Sequence, residues 1–146
     1  MFLRLDLWFQ DQRRFVLSAV FERNKLLIIY SLPMIGYAVL IFAISSLPGH
    51  SIPNLFFLSY DKIVHTLEFG LFGMLLYRSL LFHFQVKWPY LYTITAGSSY
   101  AGLDEIHQYF VLGRYCSIYD FIADFIGLVI FTAVSAYLNR YSSYKN

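Results

Sequence analysis

Residues 26–47 (LLIIYSLPMIGYAVLIFAISSL) carry no charged side chain. An α-helix rises 1.5 Å per residue, so ~20 apolar residues are enough to cross the hydrocarbon of a bilayer. A soluble fold would have to bury such a helix on every face. A chain of 146 residues with 58% hydrophobic and 14% charged side chains has little polar surface to do so. A soluble domain usually carries about 25% charged residues, and the mean hydropathy here is +0.54. Lipid is therefore the expected solvent for most of the surface.

Three more helical spans are expected, over about 63–84, 89–110 and 117–138. Pro33 is expected to kink the first span, which membrane helices tolerate. Pro48-Gly49 ends it, and Pro53 keeps the next loop irregular; Pro48-Gly49-His50 is read as loop only. Asp61 is placed to cap the second span and His83, Lys87 and Trp88 to mark its far end. Ser117-Ile-Tyr-Asp120 has the form of a capping box for the fourth. Gly97, Ser98, Ser99, Ala101 and Gly102 form a small-residue patch on which another helix can pack closely. Residues 1–25 mix Arg, Asp and Glu with Trp8, Phe9 and other bulky groups, as a segment lying along the membrane surface does. Asp6 interrupts any signal-peptide core, and the apolar run around Ala43-Ile44-Ser45 is too long for one. The expected fold is all-α, a four-helix transmembrane bundle (26–138) with an N-terminal amphipathic interfacial segment (1–25) and a polar tail (139–146).

The Lys and Arg residues give the orientation. With four spans both termini share a side, and that side collects all of the 11 basic residues except Lys62 and Arg114. The positive-inside rule makes it cytoplasmic. No basic run interleaved with aromatics suggests a nucleic-acid partner. Cys116 is the single cysteine, so an intrachain disulfide is excluded.

Against this apolar background stand two ionisable clusters, Asp61, Lys62, His65 and Glu68, then Asp104, Glu105, His107, Gln108, Arg114, Asp120 and Asp124. Ionisable groups inside a membrane are costly and mark function by default. Helical spacing puts Asp61, His65 and Glu68 on one face, Asp104 and Gln108 on another, and Asp120 and Asp124 on a third. Glu68, Asp104 and Asp124 all lie roughly 10 Å below the outer interface at 1.5 Å per residue. Three helices carrying acids at one depth avoid lipid only by facing each other. Six of the nine acids lie in these clusters, and Lys62 and Arg114 do not balance them. Proton uptake or a bound divalent cation is then required. His107 is off the Gln108 face and is expected at the interface.

The same residues resemble the VanZ-like family of small bacterial membrane proteins. Its pattern is Asp-Lys-x-x-His, then Asp-Glu-x-x-Gln, a Pro-Gly-Arg turn, and Asp-x-x-x-Asn-x-x-Gly. This chain has Asp61-Lys62-Ile-Val-His65, Asp104-Glu105-Ile-His-Gln108, Gly113-Arg114 and Asp120-Phe-Ile-Ala-Asp124-Phe-Ile-Gly127. Leu112 stands where the pattern has Pro, and Asp124 where it has Asn. The family is named for resistance to teicoplanin, so the resemblance implies a bacterial inner-membrane protein with a cell-envelope role.

Two functions fit these residues. In the first, a pocket open to the extracytoplasmic face takes an anionic lipid-linked or cell-wall precursor. Lys62 and Arg114, with Asp61 beside them, would hold phosphate. Glu105 or Asp104 would act as general base, His65 would shuttle a proton, and Glu68 and Gln108 would orient their neighbours. Asp120 and Asp124 would complete the network or bind a divalent cation. In the second, the polar network is structural and the protein is a scaffold or binding module, with Arg114 paired to Glu105 or Asp120. Transport is disfavoured, because the inner halves of the spans hold no acids.

Overall fold

The structure, a computed structural model, describes residues 15–49 and 58–143. The segment 1–14 with Trp8 and Phe9, the loop residues His50 and Pro53, and residues 144–146 lie outside the described residues. Four helices account for nearly all the rest: α1 (Phe15–Ser45), α2 (Leu58–Arg78, extended by Ser79–His83), α3 (Pro89–Tyr109) and α4 (Ile118–Ser143). No strand occurs among the described residues.

Several boundaries differ from the sequence expectation for local reasons. α1 runs without a break through residue 25, so Phe15–Lys25 is continuous with the first span. α4 continues past Leu138 to Ser143, turning the expected polar tail into further helix. α2 starts at Leu58, which puts Asp61 inside the first turn rather than at the cap. Its charge still complements the positive end of the helix dipole. α3 opens on Pro89, whose missing N–H costs nothing at a first helical position.

Pro33 leaves its mark as a π-helical turn, Leu27–Ser31, just ahead of it. Proline removes one i→i−4 hydrogen bond and its ring crowds the carbonyl four residues back. Widening the preceding turn relieves both. A second π-helical turn, Ser79–His83, closes α2 and faces the first. There is no proline near it.

The helices run alternately up and down. At one end the C-terminus of α1, the start of α2, the C-terminus of α3 and the start of α4 meet. There the Gly49 amide donates to the Leu112 carbonyl at 3.0 Å. We term this the polar end. Arg78, Lys87 and Arg140 lie toward the other, basic end.

The closest helix approach is between α2 and α4. A Cβ added at Gly127 would overlap the Thr66 carbonyl and come 3.0 Å from the Gly70 amide nitrogen. Backbone meets backbone here, which only glycine permits. The expected small-residue patch on α3 is used in part. Gly97 and Ala101 are buried, with Gly97 against the Leu128 side chain, while Ser99 is exposed.

The interior has an apolar middle and polar ends. Ile41, Phe69, Phe72, Leu76, Ala101 and Leu128 pack together at mid-height. Tyr100 lies 5.2 Å from the Phe72 ring and donates its hydroxyl to the Ala38 carbonyl at 2.7 Å, pinning α1 to α3. The outside reverses the pattern of a soluble protein: Leu67 and Leu71, Leu103 and Ile106, and Ile126 and Ile130 are exposed, while Asp104, Glu105, Asp120 and Asp124 are buried. α1 and the Ile118–Tyr141 stretch of α4 are long and apolar enough to cross a membrane. α2 and α3 reach 21 residues each but carry the polar clusters inward. The chain folds as a transmembrane four-helix bundle.

Candidate functional site

The polar end gathers side chains from α2, α3 and α4. On α2, a one-turn spacing stacks Asp61 above His65, with Glu68 a turn deeper. The His65 Nδ1 and the Asp124 Oδ1 on α4 are 3.0 Å apart, and His65 Nε2 lies 4.0 Å from Asp61 Oδ1. One buried imidazole therefore stands between a half-exposed carboxylate and a fully buried one. A carboxylate accepts, so the Nδ1–H donates to Asp124.

Lys62 is committed elsewhere. Its ammonium donates to Asp61 at 3.0 Å and pairs with Asp120 on α4. The Thr66 hydroxyl donates to the Lys62 carbonyl at 2.8 Å, steadying this turn. Asp120 is thus an ion-pair partner, and its backbone N–H reaches the Ser117 hydroxyl only at 3.4 Å. The other half of the expected capping box comes from a different helix. Glu105 of α3 accepts the Ser117 amide at 2.7 Å, satisfying a donor that α4 itself leaves open.

Asp104 accepts from the Gln108 amide group at 2.9 Å, one turn along α3. Asp104, Glu105, Gln108 and Asp124 are 5%, 3%, 4% and 0% exposed. Glu68 is half-buried and within electrostatic reach of His65, Asp104, Asp124 and Arg114. Two groups bring three ligand-type atoms within 4.8 Å of one another: Asp61, His65 and Asp120, and His65, Glu105 and Asp124. In the second, all three residues are buried. Asp104 Oδ1, Glu105 Oε1 and Asp124 Oδ2 are buried without a hydrogen-bond partner among the described residues.

Arg114 does not make the pairing that the scaffold alternative gives it. It forms no salt bridge with Glu105 or Asp120 among the described residues. One guanidinium N–H instead donates to the Ile44 carbonyl at 3.2 Å, at the end of α1. Helix ends leave such carbonyls open, and the Gly113 turn (φ 77°) directs the chain toward it. Its Nε is buried without a partner among the described residues. His107 pins α3 to α1: Ser46 Oγ is 2.9 Å from its Nε2, and Phe42 lies 4.6 Å from its ring. Cys116 is exposed.

One polar cluster was not anticipated. At the basic end Ser31 Oγ sits 2.7 Å from Ser79 Oγ and 2.6 Å from His83 Nδ1, joining the two π-helical turns. Tyr30 stacks on Phe82 at 4.8 Å, and the Arg78 guanidinium lies 5.4 Å from the centre of the Tyr30 ring. Serines inside uncharged spans were the available signal, though a serine can also satisfy itself on its own helix.

No curated protein and no solved structure matches the chain. Residues 9–139 match the model of the VanZ/LLP1 family, a stretch that contains every residue of the polar end. With four acids buried, many large apolar residues turned outward and most of its length matched, the chain is a membrane protein that belongs to the VanZ/LLP1 family.

Proposed function

We propose that this protein is a bacterial cell-envelope component whose polar end opens to the extracytoplasmic face. It binds or acts on an anionic lipid-linked or cell-wall precursor there, the setting of a role in glycopeptide resistance. The observation that carries this reading is Arg114. Lys62 is neutralised by Asp61 and Asp120, whereas Arg114 spends one of its five N–H donors on a carbonyl and, among the described residues, meets no carboxylate at salt-bridge distance. A guanidinium with donors to spare suits a phosphate or carboxylate headgroup. The Asp61–His65–Asp124 chain beside it provides acid–base groups for a bound substrate. The distribution of Lys and Arg supports cytoplasmic termini in an inner membrane. The Phe69–Phe72–Leu128 layer below the site supports a binding or catalytic site over a transport path.

The test is binding in nanodiscs of a polyprenyl phosphate against the matching neutral alcohol. Wild type is expected to prefer the phosphate, and Arg114→Ala to lose that preference by about tenfold, the equivalent of ~1.4 kcal/mol. Equal binding of both lipids by wild type would remove the reading. Orientation has a built-in probe, because Cys116 is the single cysteine and is exposed at the polar end. A membrane-impermeant maleimide should label it in intact cells; labelling only after lysis would reverse the topology.

A further inference from the structure

We propose that the polar end holds a divalent transition-metal ion, of the Zn²⁺ class, between His65, Glu105 and Asp124. This deepens the reading of the same site and rests on that centre being functional, not on the identity of its substrate. Three observations carry it. The first is the donor set: one imidazole and two carboxylates, from three helices, with ligand atoms within 4.8 Å of one another. Zinc ligands stand ~2.0–2.2 Å from the ion, so tetrahedral neighbours lie about 3.4 Å apart. The 3.0 Å between His65 Nδ1 and Asp124 Oδ1 is already that close.

The second is lone pairs without donors. Glu105 Oε1 and Asp124 Oδ2 are buried and accept no hydrogen bond among the described residues, and Asp104 Oδ1 is a third such oxygen. Asp104 is within electrostatic reach of both Glu105 and Asp124. Buried carboxylate oxygens are rarely left without a partner. Here Lys62 is bound to Asp61 and Asp120, and Arg114, within electrostatic reach of Glu68, forms no salt bridge among the described residues. Glu68, Glu105 and Asp124 lie within electrostatic reach of His65, with Asp104 within reach of all three acids, and a divalent ion offsets two of the four charges.

The third is the tautomer. Nδ1 faces Asp124 and Nε2 faces Asp61 at 4.0 Å. A metal on Nδ1 replaces the proton there, while Nε2–H is directed at Asp61. At 4.0 Å Asp61 stands just beyond hydrogen-bond distance, and a small closing shift would complete the carboxylate–histidine–metal arrangement by which an outer carboxylate fixes the ring. The neighbouring group Asp61, His65 and Asp120 competes poorly, since Asp120 is already the lysine's partner.

The experiment is titration of the purified, chelator-stripped full chain with Zn²⁺, followed by X-ray absorption on the one-equivalent sample. One ion per chain is expected, with an N/O shell containing one imidazole, and a melting temperature that rises with Zn²⁺ and falls with EDTA. Asp124→Asn and Glu105→Gln should weaken binding at least tenfold, and Asp120→Asn should not. Absence of saturable uptake, sulfur scattering from Cys116, or two imidazoles in the shell would each overturn the proposal without needing a variant to fold. So would loss of binding in Asp120→Asn but not in Asp124→Asn. Arg114→Ala should keep the ion while losing preference for the phosphate lipid. An ion-free protein that still prefers that lipid would sink the metal and leave the function standing.

Discussion

The bundle buries a polar cluster at each end, and the two are built on opposite terms. At the basic end Ser31, Ser79 and His83 form a chain without a carboxylate, in which Ser31 Oγ contacts both neighbours. At the polar end His65, Asp104, Glu105 and Asp124 are buried with three carboxylate oxygens unmatched among the described residues. The apolar layer of Ile41, Phe69, Phe72, Leu76 and Leu128 separates them. A satisfied neutral network steadies a fold at little cost, whereas a charged and partly satisfied one is costly to keep. The basic end therefore reads as structure, and the polar end as a site that holds stability in reserve for what it binds.

The largest effect should come from the point that sets the polar end's geometry. Gly127→Ala drives a methyl into the Thr66 carbonyl and toward the Gly70 amide. Neither is a side chain that can swing away, so α2 and α4 have to separate near His65 and Asp124. Overpacking usually costs 1–3 kcal/mol, and backbone obstruction should exceed the upper figure, at more than about 3 kcal/mol. Unfolding in mild detergent is the measurement. A variant as stable as wild type would mean that the two helices are not held at backbone contact.

The next pair separates the ends directly. Asp104→Asn removes a buried charge but keeps an oxygen for Gln108 to donate to. It should leave stability unchanged or raise it by about 1 kcal/mol while weakening ligand binding, the usual opposition of stability and function. Glu105→Gln likewise keeps an acceptor for the Ser117 amide and should behave the same way. Ser31→Ala should do the reverse. It breaks two contacts whose membrane-protein equivalents average about 0.6 kcal/mol each, so a loss of ~1 kcal/mol is expected with binding at the polar end intact. If the acid-to-amide variants lose stability and Ser31→Ala does not, the assignment of the two ends has to be exchanged.

Which helices face inward was legible in the sequence, because lipid excludes charge and 3.6-residue periodicity fixes each face. Asp61, His65 and Glu68, or Asp120 and Asp124, leave few choices once no acid is allowed to meet hydrocarbon. The pairing within the cluster was not legible. That Lys62 takes Asp120, that His65 takes Asp124, and that Glu105 caps α4 from α3 depend on the offset and rotation of whole helices. Arg114 shows the same limit: its destination, the Ile44 carbonyl, is a backbone atom and leaves no trace in side-chain spacing. The π-helical turns add one residue to a helical turn without changing composition, so the Ser31–Ser79–His83 chain they align was hidden as well.

The turns at the two ends carry the comparison to its smallest term. Both reverse the chain through a residue in the left-handed region: Gly113 (φ 77°) between α3 and α4, and Gln85 (φ 52°) between α2 and α3. Glycine takes that conformation freely, whereas an L side chain crowds its own backbone there by roughly 1–2 kcal/mol. The polar end, which must place Arg114, uses the unstrained residue; the basic end accepts the strained one. Gln85→Gly should therefore stabilise the protein, by about 0.5 kcal/mol once glycine's extra freedom in the unfolded chain is set against the relief. Gly113→Ala should cost about 1 kcal/mol or more and shift Arg114 from the Ile44 carbonyl, lowering the preference for a phosphate lipid along with stability. Equal and purely structural effects at the two turns would show that the Gly113 bend does not serve Arg114, and would leave the ends differing in charge alone.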